Sequence, residues 1–133
     1  ELHVTSTHYD DQIALDLVRG SQRTVAIHGC EGNESVAYIG GSDDRLIELI
    51  TESLEDIGIS VREAPHHISG TQENNIVNMT QTQGGVQLEL TAQLRKELFK
   101  NRKSSRKNRE NKDNWDDLMY DFADAMKKAI ERA

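Results

Sequence analysis

The chain has one cysteine in 133 residues, so it cannot close an internal disulfide, and that usage fits oxidising and reducing compartments equally. It has no apolar run near the ~20 residues that a membrane-spanning helix needs. No basic segment followed by an apolar one opens the chain, so no secretory leader is expected, and an initiator methionine is absent as well. Positive charge is also in short supply: the formal net charge of −7 argues against a general nucleic-acid binder. What remains, at 35% hydrophobic and 29% charged, is the composition of one globular domain spanning residues 1–133.

Apolar patterning gives the elements. Leu2–Thr7 alternates and suggests a strand, and 12–19 suggests a short helix. Arg23–His28 reads as a strand buried on both faces, because Val25, Ala26 and Ile27 leave no polar side. A short strand over Val36–Ile39 precedes a helix over 43–57 with Ser42 as its cap. Ile59–Arg62 is the next strand, 65–83 a loop, and Val86–Leu90 a strand followed by a helix capped by Thr91. A last helix from about Trp115 carries one apolar stripe through Leu118, Phe122, Met126 and Ile130. Alternating strands and helices predict an α/β class with a mostly parallel or mixed sheet.

Several residues invite chemistry. His28 ends an apolar strand at a Gly-Cys-Glu-Gly turn, where sites form in open α/β sheets. It is either a metal ligand or a histidine closing a core strand, and Glu31 completes an H-x-x-E spacing with it. Glu89 shares one strand face with Gln87, opposite Val86, Leu88 and Leu90. Inside such a strand a carboxylate is either partnered, and then fit for proton transfer, or on an edge strand facing water. Arg95 could reach the strand end and clamp a carboxylate, or form a surface ion pair. Asn74, Asn75 and Asn78 could orient a substrate or simply shape turns. His3, His8 and the pair His66-His67 are ligands or solvated. Cys30 lacks an evident activating base. Residues 100–112 hold seven of the 16 cationic side chains, either as a solvated mobile loop or as a local patch attracting a polyanion.

Five stretches occur in order: LHVTSTHYDD, VAIHGCEG, YIGGSDDRL, SGTQENNIVN and GGVQLELTAQLRKELF. Together they resemble the phage-type poly-γ-glutamate hydrolases of bacilli and their phages, over nearly all of residues 2–130. The resemblance implies a zinc carboxypeptidase-like three-layer sandwich and zinc-dependent hydrolysis of γ-glutamyl amide bonds in poly-γ-glutamate. It implies that His28 is a zinc ligand and Glu89 the general acid/base, with Arg95, Asn75 and Asn78 toward substrate.

Two departures stand out. The family's His-Gly-Gly-x-Ile-Glu zinc motif belongs to a segment before LHVTSTH, so this chain is expected to be the larger, C-terminal part of such a domain. Met79 stands where the family tends to carry arginine. The expected partners are therefore the polymer and the chain's own upstream segment, with no membrane and no nucleic acid. The alternative is a non-catalytic α/β module that binds an acidic polymer or a protein.

Overall fold

The computed structural model describes residues 4–133. Among them, four strands form one sheet: β1 (Val25–Cys30), β2 (Ala37–Gly41), β3 (Val61–Glu63) and β4 (Val86–Thr91). Their spatial order is β1-β4-β2-β3, so the last strand in sequence lies inside the sheet, between the first two. β1 and β4 run parallel, as do β2 and β3, whereas β4 and β2 are antiparallel. The sheet is thus mixed, with parallel pairs in the majority.

All six residues of β4 are buried, which its central position requires. Val86, Leu88 and Leu90 face a core built with α2 (Asp44–Asp56) and α4 (Asp117–Arg132). α2 presents Leu46, Leu49, Ile50 and Leu54 at helical spacing, and α4 presents Phe122, Ala125, Met126 and Ala129. The opposite sheet face, carrying Gln87 and Glu89, meets the 64–85 segment, which includes 3-10 turns at His66–Ile68 and Ile76–Asn78. α1 (Gln12–Arg19) packs against the second of these turns.

Caps are local and legible. Asp11, Asp43, Thr91 and Asp116 each accept a hydrogen bond from a backbone N–H in the first turn of the helix they open. Asp43, not Ser42, caps α2, since its carboxylate reaches the Leu46 N–H at 3.0 Å. Thr91 also links three segments. Its hydroxyl donates to the Glu34 carbonyl at 2.7 Å and accepts from the Val36 and Leu94 N–H groups, both at 3.2 Å.

Two expectations change. β1 is an edge strand, not one buried on both faces, and Ile27 is 56% exposed. An apolar run marks either a central strand or an edge strand lying partly beyond its helices, and only neighbour order separates them. Of the expected 2–7 strand, Leu2 and His3 lie outside the described residues, while Val4–Thr7 form no strand and Thr5–His8 make a turn in which the His8 N–H donates to the Thr5 carbonyl.

Thr91→Val keeps the volume but removes the hydroxyl from two buried backbone N–H groups and one part-buried carbonyl. Urea unfolding should show a loss of roughly 2 kcal/mol or more, because polar groups left unpaired in the interior cost about 1–3 kcal/mol each.

Candidate active site

The register of the β1–β4 pair sets His28 directly beside Glu89. Neighbouring strands lie about 4.8 Å apart, and paired residues of a parallel ladder project from the same face. No direct ion pair joins the two side chains among the described residues. Both line a cleft of about 750 Å³, together with His8, His66, His67 and Gln87. No lysine or arginine lines it among the described residues.

Glu89 is only 7% exposed. Burial raises its pKa, because a buried carboxylate loses the hydration that favours its charge; His28 and a hydrogen bond from Gln87 pull the other way. Burial prevails, so Glu89 keeps its proton to higher pH than an ordinary glutamate.

A short hydrogen-bond relay orients this carboxyl. Gln87 Nε2 donates to Glu89 Oε1 at 3.3 Å and to the Ile68 carbonyl at 3.2 Å. Gln87 Oε1 accepts from Asn75 Nδ2 at 3.1 Å, and Asn75 Oδ1 accepts from the Val77 N–H at 3.0 Å. The Gln87 amide is therefore held in one orientation, with its NH₂ toward Glu89. Gly70 makes room for this, since a Cβ there would stand 2.8 Å from that of Gln87, and its φ of +66° suits glycine. Glu89 Oε2 has no hydrogen-bond partner among the described residues, which leaves it available to water or substrate.

The sequence candidates divide. His28, Glu89 and Asn75 converge on the cleft. Asn78 does not line it: its Nδ2 donates to the Gly70 and Gln72 carbonyls and its Oδ1 accepts from the Gly85 N–H, so it ties the 70–85 segment together. Arg95 is also absent from the lining; its guanidinium lies over Gly29 and donates to the Leu90 carbonyl at 3.2 Å and the Cys30 carbonyl at 3.0 Å. There it joins the ends of β4 and β1. Burial and the nearby Glu89 push the Cys30 thiol up, against the opposing pull of Arg95, which disfavours the thiolate needed by a nucleophile.

Gln87 was the residue sequence reasoning left without a role, although its i, i+2 spacing to Glu89 carried the signal. The histidines at 8, 66 and 67 had no sequence feature separating cleft from solvent.

The family model for poly-gamma-glutamate hydrolase matches residues 1–125. The chain belongs to the poly-gamma-glutamate hydrolase family. A solved bacteriophage poly-gamma-glutamate hydrolase superimposes with a TM-score of 0.90 at 32% identity, covering 98% of this chain and 62% of that one. A second structure, described as YNDL-apo (zinc-free), gives a TM-score of 0.87 at 27% identity, covering 97% and 63%. The sheet flanked by helices is therefore the hydrolase fold of this family. Among curated relatives in Bacillus subtilis (strain 168), the SPbeta prophage-derived UPF0714 protein YoqZ is 37% identical over 101 residues. The UPF0714 protein YmaC is 31% identical over 138 residues. The chain spans 37% of YoqZ and 55% of YmaC, and covers 74% and 98% of itself in doing so.

The raised pKa of Glu89 has a sign that stability can report. Below the ordinary glutamate value, the carboxyl is protonated in folded and unfolded chains alike and carries no penalty. As pH rises through the elevated folded value, the folded state must ionise against burial, and stability falls. Glu89→Gln removes that penalty and keeps an acceptor for Gln87. With chelator present, the variant should melt above the wild type at about pH 8, and the gap should close near pH 4.

Proposed function

We propose that this chain carries the acid/base half of a zinc-dependent hydrolase acting on γ-glutamyl amide bonds of poly-γ-glutamate. The observation behind this reading is the juxtaposition of His28 and a buried, proton-retaining Glu89 on one cleft of a hydrolase-family fold. The zinc-free description of the YNDL structure supports zinc as the family's metal.

The residues present fit part of a zinc centre. His28 offers an imidazole beside a carboxylate, the donor chemistry that zinc favours. A catalytic zinc takes about three protein ligands, and the described residues gather no group of three His, Cys, Asp or Glu side chains. His28 is thus proposed as one ligand, with the others drawn from protein outside the described residues. When bound, zinc would act as a Lewis acid on the scissile carbonyl and make water a better nucleophile.

Glu89 would handle the protons. Its carboxylate would take one from the attacking water at Oε2 and return it to the departing amide nitrogen. Gln87 would hold Oε1 throughout, and Asn75 would hold Gln87. Asn78 and Arg95 would act one layer back, Asn78 by fixing the loop beside the cleft and Arg95 by fixing the strand ends that deliver His28 and Glu89.

Size-exclusion chromatography of long poly-γ-glutamate incubated with the zinc-loaded protein, including the segment that supplies the remaining ligands, tests the activity. Glu89→Gln should lower kcat by about 10²–10⁴-fold with the fold intact by circular dichroism. His28→Ala should lose stoichiometric zinc by elemental analysis. Hydrolysis that survives both Glu89→Gln and chelator contradicts the mechanism. Polymer binding without zinc and without hydrolysis identifies a binding module instead.

A further inference from the structure

Residues 100–112 carry Lys100, Arg102, Lys103, Arg106, Lys107, Arg109 and Lys112 against one acid, Glu110. All seven cations are exposed, and none takes part in an ion pair among the described residues. The rest of the chain holds the other nine cationic side chains against 22 carboxylates, a net of −13. Positive charge is thus concentrated on one short segment of an otherwise acidic protein.

The segment is cross-linked to itself and to its flanks by several hydrogen bonds. Phe99 and Trp115 bridge at its neck, and the Asp116 N–H donates to the Leu98 carbonyl at 2.9 Å. The Trp115 indole N–H donates to the Arg109 carbonyl at 2.8 Å. Asn114 Nδ2 donates to the Asn108 carbonyl at 2.9 Å, and Asn108 Nδ2 to Ser105 Oγ at 3.1 Å. A closed neck with internal cross-links holds the cationic positions together at little further entropy cost on binding. Lys112 lies over the Trp115 ring at 5.7 Å, which leaves six cations directed to other partners.

None of these residues lines the cleft that holds His28 and Glu89. That cleft has no lysine or arginine among the described residues, so it offers a polyanion little attraction on a body that repels one. We infer that the 100–112 loop is a separate anchoring site for a flexible polycarboxylate chain, namely the poly-γ-glutamate substrate, held there while another stretch of it enters the cleft. The choice of substrate rests on the proposed function. A nucleic acid fits less well, because the loop contains no aromatic residue on which bases could stack, and Trp115 beside it is engaged by Lys112 and Tyr120.

The test compares the full chain with a variant carrying Arg102→Gln, Lys103→Gln, Arg106→Gln and Lys107→Gln, after equal melting temperatures show both folded. Titration calorimetry with long poly-γ-glutamate at low salt should show binding about tenfold weaker in the variant, the sum of four modest exposed charge contacts. High salt should remove most of the difference. On a short γ-glutamyl oligomer the two should hydrolyse alike, while KM on the long polymer rises in the variant with kcat unchanged. Equal polymer binding by both proteins, no binding by the wild type, or tighter capture of single-stranded DNA than of poly-γ-glutamate would each overturn the inference. Failure of the hydrolase reading is a separate result: neither protein then cleaves any substrate, and the calorimetric difference still decides the loop.

Discussion

Insertion of β4 between β1 and β2 is the constraint on which the rest of this protein depends. A strand central on both edges is buried along its whole length, and its alternation then has to satisfy two environments at once. Val86, Leu88 and Leu90 meet the helices; Gln87 and Glu89 meet the 64–85 segment. The second face buries a carboxyl, which is costly without partners. Gln87 supplies one hydrogen bond, and the His28 imidazole supplies a favourable field, yet burial still dominates the proton affinity. The site is poised because its strand is central.

Around that carboxyl the supporting groups form layers. Gln87 orients Glu89, Asn75 orients Gln87, and the Val77 N–H anchors Asn75. On the other side, Arg95 joins the carbonyl ends of β1 and β4, while Thr91 links the end of β4 to Glu34, Val36 and α3 (Ala92–Glu97). Neither group lines the cleft, but both bear on the register that sets His28 beside Glu89. Precise placement of reacting groups commonly comes from such backing interactions, since small errors in position are costly to chemistry.

Charge is distributed with equal consequence. The cleft is furnished with imidazoles and amides, the body is acidic, and cationic side chains gather on the loop before α4. A polyanion approaching such a surface is steered toward the loop over distances of about a Debye length, roughly 8–10 Å at ordinary ionic strength. The cationic loop and the cleft that holds His28 and Glu89 thus occupy different parts of one small fold.

The sequence by itself determined the α/β class, the Thr91 helix cap and the pairing of Gln87 with Glu89 on one strand face. These follow from short-range rules: helical and strand periodicities, and side chains that bond to the nearest N–H groups. It also brought His28 and Glu89 into one hypothesis through the five family stretches. Only the tertiary structure decided that β4 is central and β1 peripheral, that Asn78 and Arg95 bond to backbone, and that the 100–112 segment closes on itself. Each of these depends on which segments become neighbours across long sequence separations, such as Cys30 with Arg95. Local patterning carries no record of such neighbours, because an apolar run or a polar loop has the same composition whichever partner the fold places against it.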